Sequence, residues 1–241
     1  MSLKGQHVVV IGGSSGIGFA VAKGALADGA SVTIGSSNPQ NVEAAVGRLG
    51  AGAAGQAVDV KTDTDVATFF ERVGRLDHLV FTAGDWGGRG ARSIGDTNFA
   101  DAQRLFDVRF WGALTAIKYA TPRMPANGSV TLTNGMIAHR PRKGTPISTA
   151  MAGALEHLTR GLAVDLAPIR VNAVCPAAIR TDVWNSIPET DREARFAEMT
   201  RRQPVARIGE PEEVAEAYLY LMRGGYTTGQ VLLVDGGTSV V

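Results

Sequence analysis

The 241-residue sequence predicts an α/β fold in one domain: a doubly wound, seven-stranded parallel sheet with helices on both faces. Short runs rich in β-branched residues alternate with longer amphipathic segments along the whole chain. No internal repeat or low-complexity segment interrupts this alternation. Each strand–helix–strand unit implies a right-handed crossover, so the strands are expected to run parallel.

The strand predictions rest on short apolar runs, of which the first is His7-Val8-Val9-Val10-Ile11. Strands are predicted over residues 7–11, 31–35, 56–59, 78–82, 129–133, 170–174 and 231–234. Helices are predicted where apolar residues recur three or four positions apart, over residues 16–28, 39–49, 64–74, 98–120, 148–167, 189–202 and 211–223. The last of these begins at Pro211, a residue favoured in the first helical turn.

Composition excludes several functional classes. A formal charge of +1, without a dense Lys/Arg run, argues against a nucleic-acid surface. The short basic cluster of Arg140, Arg142 and Lys143 is interpreted as a solvated loop or a pocket rim. No run of about 18 apolar residues is present, and the segment before His7 is too short for a signal peptide. We therefore expect a soluble, cytoplasmic protein that binds neither nucleic acid nor membrane.

The single cysteine, Cys175, cannot form an internal disulfide, which is typical of a reducing compartment. It lies in a strand-like run, so a buried, inert thiol is favoured over a nucleophile. The glycine-rich segment from Asp85 to Gly90 is interpreted as a surface loop rather than a domain boundary. Residues 1–241 are accordingly expected to form one domain.

A glycine-rich loop, Ile11-Gly12-Gly13-Ser14-Ser15-Gly16-Ile17-Gly18, connects the first predicted strand to the first predicted helix. In that position Gly12 allows a tight turn, Gly16 lets the backbone approach a pyrophosphate, and Gly18 permits close helix packing. The helix N-terminus offers N–H groups to the phosphates, which favours dinucleotide binding over a merely tight turn. The expected cofactor-binding residues here are Gly12, Ser14, Ser15, Gly16, Ile17 and Gly18.

The second predicted strand ends in Ser36-Ser37-Asn38, without the acidic residue that would bind a ribose 2′-OH and repel a 2′-phosphate. NADP is therefore favoured over NAD, although no Arg in this triplet would clamp the phosphate. Asp59 ends the third predicted strand and is expected to reach the adenine edge, and Val60, the next residue, is an expected cofactor contact. For Asp59 a second interpretation, as the cap of a turn, stays open.

Further segments resemble the short-chain dehydrogenase/reductase family over essentially the whole chain. The resemblance is carried by Thr82-Ala83-Gly84, by residues 162–176 and by the segment from Tyr226 to Gly237. It implies a Rossmann-type domain, an NADP(H)-binding oxidoreductase acting on a carbonyl or alcohol, a substrate loop near residues 182–206 and a homotetramer. It also implies cofactor contacts for Ala83, Gly84, Pro176 and Thr181.

The family's chemistry uses a Ser-Tyr-Lys triad supported by an Asn. Alignment by the flanking motifs places Asn134 at the Ser, Ile147 at the Tyr, Met151 at the Lys and Arg109 at the Asn. All four residues differ from the family's pattern. An apolar stripe at helical spacing predicts that this helix face packs instead of catalysing; it comprises Ile147, Met151, Leu155, Leu158 and Leu162.

Three residues are candidates for catalysis in their place. Arg109 would orient a carbonyl or stabilise its charge, or else form a structural ion pair. Asn134 would donate a hydrogen bond to a carbonyl, or else bond the backbone. His139, five residues further on, is a proton carrier by type, although a lone His is more often structural.

Three functional classes therefore stay open. The chain is an atypical NADP-dependent oxidoreductase, a cofactor-binding member that serves as a sensor or partner subunit without turnover, or a non-redox enzyme such as an isomerase or lyase that reuses the pocket. Three outcomes distinguish them. Consumption of NADPH with a carbonyl indicates the oxidoreductase, and binding without turnover indicates the sensor or partner subunit. Substrate conversion without a change in cofactor absorbance indicates the non-redox enzyme. The substrate loop carries no motif that identifies a substrate.

Overall fold

The computed structural model describes residues 2–84 and 93–241 and contains one parallel sheet. Its strands are β1 (His7–Ile11), β2 (Ser31–Ser36), β3 (Ala53–Ala57), β4 (His78–Phe81), β5 (Ser129–Thr133), β6 (Arg170–Pro176) and β7 (Val231–Val234). Their order across the sheet is β3-β2-β1-β4-β5-β6-β7, and each neighbouring pair is parallel. The predicted fold class is confirmed. The predicted loop from Asp85 to Gly90 lies outside the described residues.

Eight α-helices in the described part of the chain cover the sheet. They are α1 (Gly16–Ala27), α2 (Pro39–Leu49), α3 (Asp63–Val73), α4 (Phe99–Phe106), α5 (Ala113–Ala120), α6 (Pro146–Asp165), α7 (Glu189–Thr200) and α8 (Pro211–Arg223). Apolar residues of α1, α2 and α8 form the core on one face of the sheet, and those of α3, α5 and α6 form the core on the other. None of the helices described is both long enough and apolar enough to span a bilayer.

The third strand lies earlier in the chain than its prediction. β3 covers Ala53–Ala57 and pairs with β2 from Val32↔Ala53 to Ser36↔Ala57, whereas residues 56–59 were expected. Its sequence, AAGQA, has no β-branched residue, because this edge strand is largely exposed and pairs through its backbone. The strand does not extend to residue 59 as predicted, because the Asp59 carboxylate accepts a hydrogen bond from Lys61 N at 3.0 Å and starts a turn.

The helix predicted over residues 98–120 is interrupted. Between α4 and α5 the segment Asp107–Gly112 is π-helical, so its backbone hydrogen bonds span five residues instead of four. Such widened turns are frequent at functional sites because they change the direction of the side chains they carry. This segment contains Arg109, whose side chain is 3% exposed.

A buried imidazole connects three strands or their flanking segments at the amino end of the sheet. His78, 1% exposed, has Nδ1 2.8 Å from Ser129 Oγ and Nε2 3.1 Å from Gln6 Oε1. Burial, with a smaller contribution from the charge of Arg170, lowers the pKa of His78 from 6.5 to about 4. The ring is therefore neutral in the folded protein at neutral pH.

This depressed pKa predicts a loss of stability in mild acid. The unfolded chain takes up a proton on His78 near pH 6.5, and the folded chain does so only near pH 4. Neutral His78 therefore contributes its full share to the free energy of unfolding above pH 6.5. As the pH falls to 4, the free energy of unfolding decreases by about 3 kcal/mol because of this residue. Urea unfolding of His78→Gln between pH 7 and 4 should show a smaller decrease in the free energy of unfolding than the wild type. The exposed His157→Gln serves as control, and equal slopes in all three proteins would contradict the assignment.

Candidate functional site

A cleft of about 410 Å³ opens at the carboxyl ends of β1 and β4, where the strand order reverses. This switch point is the position at which doubly wound sheets bind ligands, because the connecting loops diverge there. The residues lining the cleft are Ile11, Gly12, Ser14, Ser15, Gly16, Ile17, Gly18, Ser36, Ser37, Val58, Asp59, Val60, Lys61, Thr82, Ala83, Gly84, Val108, Thr133, Thr181, Asp182 and Val183.

The glycine-rich loop is in backbone contact with the turn that follows β4. Gly12 has φ +92°, and a Cβ on it would lie 2.5 Å from Ala83 N. A Cβ on Gly18 would lie 2.3 Å from the carbonyl oxygen of Gly12, so only glycine fits at either position. Gly16 has φ +52° and faces Thr181 from across the cleft. The loop therefore has the geometry that its sequence pattern predicts.

The N-terminus of α1 is available to an anion. Its N-cap residue, Ser15, is extended and makes no side-chain capping hydrogen bond, and the first turn contains no acidic residue. The N-cap of α2, by contrast, is satisfied internally, because Asn38 Oδ1 accepts from Asn41 N at 3.0 Å. Uncapped N–H groups and the positive end of the helix dipole suit a phosphate.

Hydroxyl groups line the cleft at the end of β2. Ser14 Oγ donates to Ser36 Oγ at 3.0 Å, which ties the glycine-rich loop to this strand, and Ser37 is exposed beside them. Asn38, the third predicted residue of this group, begins α2 and does not line the cleft. An acidic side chain is absent from all three positions.

Both interpretations of Asp59 fit the structure. Asp59 and Val60 line the cleft, as expected, while Asp59 Oδ1 also accepts from Lys61 N as the cap of a turn. Lys61 itself lines the cleft, with Nζ 3.7 Å from Asp59 Oδ2. Sequence analysis missed this lysine because its only signal was its position two residues after Asp59.

Arg109 lies against the floor of the cleft. A Cβ on Gly84 would lie 2.6 Å from Arg109 Nε, so the guanidinium packs on the bare backbone of this glycine. Gly84 follows Ala83, whose N–H donates to Ile11 O at 3.1 Å. Thr82–Gly84 and Arg109 thus form one unit at the ends of β1 and β4. Arg109 itself does not line the cleft, and both predicted roles for it stay open.

Asn134 and His139 both contact the carboxylate of Glu156, a residue that the sequence analysis did not predict as part of the site. Glu156 Oε1 lies 3.0 Å from Asn134 Nδ2 and 2.7 Å from His139 Nε2. Glu156 Oε2 lies 3.9 Å from the exposed Arg160 NH2. One N–H of the Asn134 amide thus donates to Glu156, a role that neither prediction named. Because Nδ2 carries a second N–H, the prediction that Asn134 donates to a carbonyl stays open.

A signal for Glu156 was present in the sequence. Ala152, Glu156 and Thr159 recur four and three residues apart on α6, and all three are buried. A glutamate within an otherwise small, buried helix face requires polar partners from elsewhere in the fold. The apolar stripe of Ile147, Met151 and Leu155 lies one position away on the same helix and is the longer pattern.

The predicted packing face of α6 is largely observed. Met151 and Leu155 are 3% and 1% exposed, and Leu158 and Leu162 pack against the same core cluster. Ile147 is half-buried in the first turn. No Tyr or Lys occurs between residues 144 and 217. A shift of the alignment by a few residues would therefore still place neither a Tyr nor a Lys on this face of α6.

Of the two predicted cofactor contacts at and after the end of β6, one lines the cleft and the other does not. Thr181 lines the cleft opposite Gly16, so its predicted cofactor contact stays a prediction. Pro176 is buried as the last residue of β6 and does not line the cleft. Cys175, next to it, is fully buried as expected. Burial, and then the charge of Glu156, raises the pKa of its thiol to about 12, so this thiol stays protonated at neutral pH.

Comparison with known proteins agrees with this architecture. A family model described as enoyl-(acyl carrier protein) reductase matches residues 11–239. A short-chain dehydrogenase/reductase of Stachybotrys chlorohalonatus is 36% identical over 251 residues, covering 98% of each chain. The chain belongs to the short-chain dehydrogenase/reductase family. This family is one of oxidoreductases, and its Rossmann fold is the one described above.

Two solved structures of this kind are similar over nearly the whole length. A small-chain dehydrogenase in complex with NADPH is 32% identical with a TM-score of 0.84, covering 98% of this chain and 99% of that one. A reductase/Diels–Alderase from Malbranchea aurantiaca is 30% identical with a TM-score of 0.91, covering 99% and 98%.

Proposed function

We propose that the chain is an atypical NADP(H)-dependent oxidoreductase of a carbonyl or alcohol substrate. The observation that carries this proposal is the uncapped N-terminus of α1 facing a hydroxyl-lined strand end, with both in one cleft. The N–H groups of Ser15, Gly16 and Ile17 would hold the pyrophosphate, and Ser36 and Ser37 would hold the 2′-phosphate. The related complex with NADPH supports the same cofactor.

The cofactor, when bound, supplies or accepts the hydride. What remains for the chain is to orient the carbonyl, stabilise negative charge on its oxygen and provide a proton. Arg109, buried against Gly84, is the candidate for the first two tasks. His139 stays the candidate for the third. Asn134, which donates one N–H to Glu156, would donate its second N–H to the carbonyl.

Positioning alone is a substantial contribution to such a reaction. Holding substrate and cofactor in register is worth roughly 7–11 kcal/mol. A missing positioned acid typically removes about 10²–10⁴ in rate. The family chemistry is therefore compatible with an α6 that carries no Tyr or Lys, at a reduced rate.

A second candidate is a non-redox enzyme, or a cofactor-binding subunit without turnover. The observation that favours it is the absence of Tyr and Lys between residues 144 and 217. The Malbranchea aurantiaca protein, whose name joins a reductase and a Diels–Alderase, shows that this fold hosts chemistry other than hydride transfer.

The cofactor assignment predicts a preference that one substitution should reverse. NADPH at 100 times its dissociation constant should raise the unfolding temperature by several degrees, and NADH should raise it less. Ser37→Asp places a carboxylate beside the expected 2′-phosphate, so it should weaken NADPH about tenfold or more while sparing NADH. Thermal unfolding and fluorescence titration measure both effects.

Ser31→Asp, at the exposed opposite end of β2, provides the matched control and should change neither affinity. An unfolding temperature that neither cofactor raises would contradict the proposal. The chain would then be a scaffold or partner subunit.

The role of Arg109 predicts a selective loss of turnover. With a carbonyl identified by NADPH consumption over a substrate panel, Arg109→Ala should lower kcat/KM by about 10²–10³ without weakening NADPH. Arg109→Lys should recover part of the loss, because it retains the positive charge. Arg104→Ala, on the exposed face of α4, should have no effect. His139→Ala tests the proton donor in the same assay.

Two other outcomes select the alternatives. Conversion of a substrate at constant NADPH absorbance would identify a non-redox enzyme. Tight cofactor binding without conversion of any panel member would identify a subunit without turnover.

We also propose a homotetramer. Large apolar side chains are exposed on the helical segments expected at the subunit contacts: Phe99 is 65%, Trp111 58% and Val164 81% exposed. Burial of such side chains against a symmetric copy removes them from water. Light scattering at micromolar concentration should therefore report about four chains, and a monomer under these conditions would contradict the proposal.

A further inference from the structure

Three potential metal ligands from distant parts of the chain converge at the carboxyl ends of β5 and β6. His139 follows β5, Glu156 belongs to α6 and Cys175 belongs to β6. Their ligand atoms, an imidazole nitrogen, a carboxylate oxygen and the thiol sulfur, all lie within 4.8 Å of one another. The fold thus brings together three ligand types that share an affinity for one class of ion.

The three residues differ in solvent exposure in a way that suits ion entry. Cys175 is fully buried and the Glu156 side chain is 11% exposed, whereas the His139 side chain is 34% exposed. An ion would reach the pair of buried ligands past the imidazole. A site with two buried ligands and one accessible ligand has both a dry interior and an entry path.

A second observation points to a ligand at this place. Asn134 is 1% exposed, and its Oδ1 has no hydrogen-bond partner among the described residues. Its Nδ2 is bonded to Glu156, so the amide that carries this unpartnered oxygen is joined to one of the three ligands. A buried acceptor without a donor is destabilising, and a metal ion or a metal-bound water would offset this cost.

We propose that His139, Glu156 and Cys175 bind one divalent transition-metal ion, with Zn²⁺ the best match. Zn²⁺ takes Cys, His and Glu ligands together, whereas Mg²⁺ and Ca²⁺ require mainly oxygen ligands. Water, or Asn134 Oδ1, would complete four-coordination. This inference goes beyond the proposed function and does not depend on it.

Binding requires a small rearrangement and the loss of one proton. Zinc–ligand bonds of about 2.0–2.3 Å place tetrahedral ligand atoms roughly 3.3–3.7 Å apart, so the 2.7 Å contact between His139 and Glu156 must widen. The thiol proton of Cys175 is released to solvent as the metal–sulfur bond forms, and no electron is transferred. An occupied site would engage His139 and so compete with its use as a proton donor.

The test uses tag-free, chelator-stripped protein titrated with Zn²⁺ by calorimetry and with Co²⁺ by absorption spectroscopy. We expect one ion per chain, an unfolding temperature raised by several degrees and a thiolate-to-Co²⁺ charge-transfer band. Cys175→Ser should abolish that band. Glu156→Gln and His139→Gln should each weaken Zn²⁺ at least a hundredfold.

His157→Gln is the matched control, because His157 lies on the exposed side of α6 with Nδ1 3.1 Å from Gly153 O. It should leave the affinity unchanged. No stoichiometric binding at micromolar protein would overturn the proposal, as would equal affinities in wild type and His139→Gln. The latter variant keeps the test decisive if a buried substitution unfolds the chain, since His139 is partly exposed.

Discussion

The contact between the Gly12–Gly18 loop and the turn after β4 is the constraint on which the site depends. Two backbone segments approach so closely that a Cβ on Gly12 or Gly18 would overlap backbone atoms. Because Thr82 and Ala83 both donate to Ile11 O, the ends of β1 and β4 are fixed relative to each other. The cleft, the orientation of α1 and the position of Arg109 behind Gly84 follow from this one junction.

Gly84 and the π-helical segment 107–112 together determine where the Arg109 side chain lies. The glycine leaves room at the end of β4, and the widened helical turn directs Arg109 into that room. The guanidinium of an arginine presents a rigid, planar set of donors. Such a group is suited to charge stabilisation, which is the role proposed for Arg109.

Glu156 changes the character of α6 more than the apolar stripe does. A buried carboxylate costs several kcal/mol unless hydrogen bonds and opposite charges compensate it. Asn134 and His139 supply the hydrogen bonds, and the neighbouring thiol of Cys175 remains protonated. Asn134 and His139, two of the three candidates for chemistry, are therefore partners of a buried acid.

The sequence by itself determined the parallel sheet, the glycine-rich loop and the packing role of Met151 and Leu155, because these depend on periodicity and local backbone freedom. β3 was misplaced, since an exposed edge strand of small residues is held by backbone pairing with β2 and leaves no apolar pattern. The interruption at Asp107–Gly112 was missed for a similar reason: the apolar spacing continues through it. Only the tertiary structure brought Asn134, His139, Glu156 and Cys175 together. Their meeting depends on which strand ends are neighbours and how α6 is rotated against them, and no local pattern encodes either property.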